Sequence, residues 1–156
     1  MHAVARVLIL GGGCRGRQLA AGVLEQGHAV RIVTRSEPGR AAIEAVGAEC
    51  FVGDPNRLAT LRGVLEGVTV ACWLLATATG SPAQLRELSV SRLPAFLGTA
   101  IDSTMRGFLF EAPAQAARLV RDLAARNALD AVPLTVDPRD TGHWLAQARA
   151  ALAAYL

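Results

Sequence analysis

An apolar run that ends directly in closely spaced glycines constrains the fold of this chain more than any other feature. Residues 3–10 read A-V-A-R-V-L-I-L, and the next six residues read G-G-G-C-R-G. A mostly apolar run of this length suits a strand that is buried on both faces. Apolar residues then recur at helical spacing from Cys14, so the pattern predicts a strand, a tight turn and a helix.

The glycines have the spacing G-x-G-x-x-G at Gly11, Gly13 and Gly16. Between a strand and a helix, the first glycine permits the turn, the second lets backbone N–H groups approach a pyrophosphate, and the third allows close helix packing. The free N–H groups and the dipole at the start of the helix favour an anion there. We therefore expect this loop, which includes Cys14 and Arg15, to bind a dinucleotide.

Five further strands alternate with helices along the rest of the sequence. The predicted strands cover 29–34, 49–52, 68–76, 106–111 and 131–136. The predicted helices cover 14–27, 36–47, 54–67, a stretch from 81 that Pro94 kinks or ends, 113–128 and 140–155. Such alternation implies parallel strands with helices on both faces. We expect one domain over residues 1–156, a doubly wound, mostly parallel six-stranded α/β sheet in the order 3-2-1-4-5-6, which is the Rossmann fold of NAD(P)-binding proteins.

Composition narrows the chemistry that is open to the chain. All 16 basic residues are arginines, which excludes every reaction that needs a lysine. Arginine stays charged and forms planar bidentate contacts, which suit phosphates and carboxylates. The use of arginine without lysine is equally typical of a protein encoded in a GC-rich genome. The arginines are scattered through the sequence, so we expect no nucleic-acid partner.

Three isolated cysteines, Cys14, Cys50 and Cys72, support neither a metal site nor a disulfide framework. The N-terminal residues lack the pattern of a signal peptide, and no apolar run approaches the ~20 residues of a membrane span. These patterns predict a cytoplasmic protein without a membrane partner. The Ala- and Leu-rich stretches 113–129 and 144–156 would serve either as core that faces the sheet or as the interface of a homodimer.

The residues after the second strand indicate which cofactor the chain binds. Dinucleotide folds place an acid there to bind a free ribose 2′-hydroxyl, or an arginine to bind a 2′-phosphate. This chain has Thr34 and Arg35 in that place and no acid. Because a guanidinium forms charge-assisted bonds with phosphate, the sequence favours NADP over NAD, with Arg40 and Arg15 as candidate second contacts. The alternative is that Arg35 is a solvated residue at the strand end.

Four segments, in order, resemble the N-terminal half of extended and atypical short-chain dehydrogenase/reductases, chiefly the NAD-dependent epimerase/dehydratase and NmrA-type members. The segments are V-L-I-L-G-G-G-C-R-G, V-R-I-V-T-R, F-V-G-D-P-N-R-L-A-T-L-R-G-V-L-E-G-V and L-L-A-T-A-T-G. The resemblance implies an adenine contact for Asp54, a packing role for Pro55, and positions for Ala76 and Thr77 beside the cofactor ribose and pyrophosphate. An Asp-Pro pair is also typical of a helix N-cap, and the two roles of Asp54 are compatible.

The same resemblance implies a catalytic apparatus that this sequence lacks. The family places a serine or threonine after strand five and the pattern Y-x-x-x-K on the next helix, where the lysine lowers the tyrosine pKa. Here Tyr155 is the only tyrosine, and there is no lysine. Glu111 ends the fifth strand and is the candidate general base, although a solvated carboxylate or a charge at the helix start is the alternative. The family's substrate-binding portion lacks a counterpart after strand six, so we expect no substrate lid.

Three hypotheses about function are consistent with these patterns. One is an NADP(H)-dependent oxidoreductase or epimerase-like enzyme with an unknown small-molecule substrate, whose site a partner subunit completes. A second is a non-enzymatic NADP(H)-binding redox sensor or regulator, which needs only differential binding of two cofactor forms coupled to another equilibrium. A structural protein that kept the fold and lost the ligand is the third alternative, because fold alone does not decide function.

Overall fold

The computed structural model describes residues 3–156, which form a six-stranded parallel sheet with helices on both faces. The strands are β1 (Arg6–Gly11), β2 (Ala29–Thr34), β3 (Glu49–Val52), β4 (Val70–Leu74), β5 (Gly107–Phe110) and β6 (Asp130–Pro133). The α-helices are α1 (Gly13–Glu25), α2 (Arg40–Ala45), α3 (Pro82–Glu87), α4 (Leu93–Ala100), α5 (Ala114–Arg126) and α6 (Thr141–Ala153). The order across the sheet is β3-β2-β1-β4-β5-β6, which confirms the predicted doubly wound fold.

Two apolar cores hold the sheet between its helices. β4 is buried along its whole length and lies beside β1, whose central residues are also buried. Trp73 packs with Phe96 of α4 on one face of the sheet. On the other face, Leu19 of α1 and Trp144 of α6 belong to the second core. Burial on both faces explains why these strands read as continuous apolar runs.

The apolar sides of α5 and α6 belong to these cores, one on each face of the sheet. Val120 and Ala124 of α5 are buried in the first core, and Ala148 and Leu152 of α6 are buried in the second. These stretches therefore serve as ordinary core, and their use in a homodimer stays a prediction. No helix among residues 3–156 has both the length and the apolar character needed to cross a membrane.

The order of strands reverses between β1 and β4. The chain passes from β1 to β2 and β3 on one side, while β4, β5 and β6 lie on the other. Ligands of open α/β sheets bind in the crevice beyond the carboxyl ends of the strands at such a point. Gly11 lies beside Leu74 in the parallel register, so the loops after β1 and β4 meet at this crevice.

The segment after β3 differs from its prediction. We expected a helix over 54–67, but the segment forms turns and one short 3-10 helix, Leu58–Leu61. The Asp54 carboxylate accepts a hydrogen bond from the Asn56 N–H at 2.9 Å, and the Asp54 N–H donates to Thr60 Oγ1 at 2.7 Å. Asp54 therefore stabilises a tight turn instead of capping a helix, because its side chain competes with helical hydrogen bonding.

Pro94 does not end the helical segment that begins at Pro82. The chain continues from α3 through one π-helical turn, Leu88–Arg92, into α4. Pro94 is the second residue of α4, and the π-helical turn ends two residues before it. The start of α3 is a capping box in which Ser81 and Gln84 bond reciprocally.

The turn before β5 lies at the amino edge of the sheet, away from the crevice. The Ser103 hydroxyl donates to the carbonyl of Ala100 at 2.6 Å, and the Thr104 hydroxyl donates to the carbonyl of Val68 at 2.8 Å. These two bonds hold the turn that leads into β5.

Candidate functional site

A cavity of about 280 Å³ opens at the crevice between the loops that follow β1 and β4. We call it the first cavity. The glycine loop, the end of β2 and the turn after β3 line it. Six residues that the sequence assigned to cofactor binding lie on its wall: Gly11, Gly13, Arg35, Asp54, Pro55 and Thr77.

The glycine loop has the close packing that its spacing predicts. Gly11 has a φ of 81°, in the left-handed region, and a Cβ there would lie 2.9 Å from the carbonyl oxygen of Leu74. A Cβ on Gly16 would lie 2.7 Å from the carbonyl oxygen of Gly11, so α1 packs directly on the turn. A Cβ on Gly13 would meet no described atom within 4 Å, since that position faces open space on the wall of the cavity. The loop thus leaves room for a ligand beside the N-terminus of α1.

Arg35 lies on the wall of the first cavity immediately after β2. Its guanidinium donates to the carbonyl oxygen of Thr79 at 3.3 Å and to Thr79 Oγ1 at 2.9 Å. These bonds join the end of β2 to the loop after β4, and both residues line the first cavity. The side chain makes no salt bridge in the described part of the chain, so its charge is open to an anion.

Sequence reasoning missed several residues on the same wall. Arg17, Asn56 and Thr79 all line the first cavity. Arg17 lies in the first turns of α1 and adds a second cation. Arg17 could have been predicted from its position directly after Gly16. Nothing in the sequence indicates that Thr79 lies at the site, because only the fold brings it to Arg35.

Arg15 and Glu111 form a buried bidentate ion pair. The Arg15 guanidinium donates through Nη1 to Glu111 Oε2 at 2.8 Å and through Nη2 to Glu111 Oε1 at 3.1 Å. Both residues are buried, at 7% and 6% exposure. Arg15 Nη2 also donates to Thr77 Oγ1 at 3.2 Å. The pair joins α1 to the end of β5 across 96 residues of sequence.

Trp144 of α6 completes this network. Its indole N–H donates to Glu111 Oε2 at 2.8 Å, and the Arg15 guanidinium carbon lies 4.4 Å from the centroid of its ring. The Ala76 N–H adds a weaker bond to Glu111 Oε1 at 3.3 Å. Both carboxylate oxygens of Glu111 therefore accept two hydrogen bonds each, as many as their lone pairs allow.

The network corrects two expectations. Arg15 was a candidate phosphate contact, but its guanidinium is directed to Glu111, because a buried carboxylate needs an opposite charge. Glu111 is neither a solvated carboxylate nor a free base at the strand end, since every acceptor position on it is occupied. The sequence pointed to both residues but not to their pairing, because the two come from elements that are 96 residues apart.

Besides Arg15, and Gly16, which packs beneath the glycine loop, three other predicted residues lie apart from the first cavity wall. Ala76 contacts Glu111 through its N–H and lines a second cavity. Arg40 lies on α2, where it pairs with the exposed carboxylates of Glu37 at 2.8 Å and Glu44 at 3.4 Å. The Arg40 guanidinium lowers the pKa of Glu37 below its ordinary value. Cys14 belongs to the glycine loop but is exposed and does not line the first cavity.

The only tyrosine lies at the opposite edge of the sheet. The Tyr155 ring is against Gly107 at the start of β5, and its hydroxyl donates to Asp130 Oδ2 at 3.4 Å, at the start of β6. Burial and the Asp130 charge raise its pKa above the ordinary value. Tyr155 therefore cannot act as the acid or base of a reaction at the crevice.

The exposed Cys14 and the buried Cys72 should differ in their reactivity toward thiol reagents. Burial, with a smaller effect of the Glu111 charge, raises the pKa of Cys72 to about 12, whereas Cys14 is exposed. The thiolate is the reactive form, so at pH 8 we expect Cys14 to react with a disulfide reagent at once and Cys72 only after unfolding. Absorbance of the released thiolate measures both phases. Cys50 is partly buried, so the test uses Cys50→Ser as its background. In that background Cys14→Ser should remove the fast phase, and rapid labelling of Cys72 in the native protein would contradict the burial of β4.

Comparison with known proteins places the chain by its fold. No protein-family model matches the sequence, and no curated protein matches it. Solved structures do match: vestitone reductase from alfalfa has a TM-score of 0.66 and 17% identity over 84% of this chain and 56% of its own length. UDP-glucose 4-epimerase from Brucella ovis, solved in complex with NAD, has a TM-score of 0.67 and 17% identity over 83% and 51%.

A third solved structure, which contains NADP+ and (+)-pinoresinol, has a TM-score of 0.60 and 16% identity over 85% of this chain and 50% of its own length. The chain spans about half the length of these structures. At such identities the likeness establishes a shared Rossmann fold. The structural neighbours of this chain include reductases and epimerases. One of these neighbours was solved with NAD and another with NADP+.

Proposed function

We propose that the protein binds NADP(H) in the first cavity and belongs to the short-chain dehydrogenase/reductase superfamily, in its epimerase/dehydratase or NmrA-like branch. One observation supports this most. A glycine loop of the phosphate-binding spacing lines the same cavity as Arg35, which follows β2 and makes no salt bridge within residues 3–156. An acid, which would bind a free 2′-hydroxyl, is absent from residues 34–36.

The residues on the wall fit a dinucleotide with a 2′-phosphate. The backbone N–H groups at the start of α1 would hold the pyrophosphate beside Gly13. Arg35 would bind the 2′-phosphate, with Arg17 as a second cation on the same wall. Asp54 and Pro55 would lie by the adenine. NADP(H) supplies hydride transfer when bound, and the chain's own residues supply binding and orientation.

Arg35→Asp provides the direct test of this assignment. We expect the affinity for NADPH to fall about a hundredfold, because the change removes a charge-assisted contact and adds a repulsive charge. NADH has no 2′-phosphate, so its affinity should stay level or rise. Calorimetric titration with NADP+, NADPH, NAD+ and NADH measures all four affinities.

Arg121→Asp is the matched control, because Arg121 is an exposed arginine on α5 that does not line the first cavity. It changes the net charge equally and should leave all four affinities unchanged. Preference of the unmodified protein for NAD(H) would refute the assignment of Arg35. Failure to bind any of the four forms would refute the proposed function and favour a structural protein.

The non-enzymatic alternative, a redox sensor or regulator, has support of its own. Glu111 has no free acceptor position, and Tyr155 lies at the opposite edge of the sheet. An oxidoreductase would oxidise NADPH in the presence of a carbonyl substrate, and the rate would respond to Glu111→Gln if Glu111 were the base. A sensor would bind NADP+ and NADPH with different affinities and show no turnover.

A further inference from the structure

A second cavity, of about 470 Å³, lies beyond the carboxyl ends of β4, β5 and β6. It shares Leu75 and Leu88 with the first cavity, so the two are neighbours along the crevice. Its volume falls in the range of small-molecule sites, roughly 300–1,000 Å³. The α3 helix and the loop between β6 and α6 form its outer walls.

Most of the second cavity wall is apolar. Trp73, Leu85, Ala112 and Leu134 are among its lining residues. The hydroxyl of Ser89 is used within the helix, where it donates to the carbonyl of Leu85 at 3.3 Å.

The polar groups on the β6 side of this wall are also engaged. Gln147 Nε2 donates to Thr135 Oγ1 at 2.9 Å, and its oxygen accepts the N–H groups of Thr135 and Val136 at 3.0 Å each. These bonds satisfy the polar atoms that a ligand would otherwise have to match. An occupant of this cavity therefore gains mainly from burial of its apolar surface.

The charges around the second cavity favour an anion at its rim. Glu111 is neutralised by Arg15, and Asp137 pairs with Arg139 at 3.0 Å. Arg86, in the last turn of α3, lines the same cavity and makes no salt bridge or side-chain hydrogen bond within residues 3–156. The cavity thus combines an apolar interior with one uncommitted cation.

We propose that the second cavity binds a small apolar molecule with a carboxylate, whose apolar part packs near Trp73 and whose carboxylate pairs with Arg86. The inference rests on the proposed function in one respect, since it takes the neighbouring first cavity as the cofactor site. Arg86 sets the class of ligand, because a guanidinium binds a carboxylate in a planar, bidentate manner. The Arg15–Glu111 pair contributes by removing the negative charge that would repel such an anion.

The test uses 4-phenylbutyrate as the probe and its neutral amide as the matched control ligand. NADPH-loaded protein is titrated with each, and binding is followed by calorimetry and by the indole N–H signals of Trp73 and Trp144 in NMR spectra. We expect 4-phenylbutyrate to bind, to shift the Trp73 signal more than the Trp144 signal, and to bind at least tenfold more tightly than the amide. Arg86→Met should abolish this preference, whereas Arg86→Lys should keep part of it and Arg121→Met all of it.

The outcomes separate this inference from the proposed function. If NADPH binds but 4-phenylbutyrate does not, or binds no better than the amide, the carboxylate site is refuted and the cofactor site stands. A preference that survives Arg86→Met also refutes the role of Arg86. If NADPH does not bind, the probe is titrated into the protein alone. Binding that depends on Arg86 then supports the carboxylate site and refutes its place beside a cofactor.

Discussion

Replacing Glu111 with alanine should lower the free energy of unfolding by about 3–5 kcal/mol, the usual effect of removing one partner from a buried ion pair. The Arg15 guanidinium, 7% exposed, would lose both of its bonds to the carboxylate and remain as an uncompensated buried charge. The indole N–H of Trp144 would lose its acceptor as well. Urea unfolding followed by circular dichroism measures the change.

Asp122→Ala is the matched control for this prediction, because Asp122 is an exposed carboxylate on α5 with no salt bridge within the described residues. It should change the free energy of unfolding by less than about 0.5 kcal/mol. The double variant Arg15→Met/Glu111→Leu should recover most of the stability lost in Glu111→Ala, because apolar residues replace both charges. A loss below about 1 kcal/mol in Glu111→Ala would show that the pair is solvated and that the network does not hold the two elements together.

Local sequence patterns were enough to predict the fold. Apolar runs of strand length, a glycine turn and regular alternation with helices depend only on neighbouring residues and on the burial of parallel strands. β2 and β3 begin and end where the sequence placed them. β4 is shorter than expected, and the residues that follow it line the crevice instead.

The segment over 54–67 was mispredicted for a physical reason. Its apolar residues recur at helical spacing, but Asp54 and Thr60 bond to the backbone of the turn and compete with a helix. Gly63, at a φ of 82°, then turns the chain again. Spacing alone cannot rank these local bonds against helix formation.

The sequence predicted the parts of the candidate site that depend on neighbouring residues, but not those that depend on contacts between distant residues. The glycine loop and Arg35 follow from their position beside predicted strands. The ion pair of Arg15 with Glu111 joins residues 96 apart, so no window of sequence contains both. The fold alone decides that Arg15 serves this pair while Arg35 remains available to a phosphate.

Replacing Gly16 with alanine provides the sharpest test of the glycine loop. The added Cβ would lie 2.7 Å from the carbonyl oxygen of Gly11, a backbone atom that can yield only if α1 moves away from the turn. We expect a loss of about 1–3 kcal/mol in the free energy of unfolding, which is typical of overpacking, and at least a tenfold loss of NADPH affinity. Urea unfolding and calorimetric titration measure the two effects.

Gly22→Ala on the same helix separates this effect from helix propensity. Its Cβ would approach only the far end of the Arg149 side chain, at 3.3 Å, which can rotate away. Alanine is favoured over glycine in a helix by about 1 kcal/mol, so this variant should be as stable as the unmodified protein or more stable, with unchanged NADPH affinity. Equal behaviour of the two variants would mean that the contact between α1 and the turn is loose. A stable Gly16→Ala protein that binds NADPH normally would rule out the dinucleotide-binding role of the third glycine.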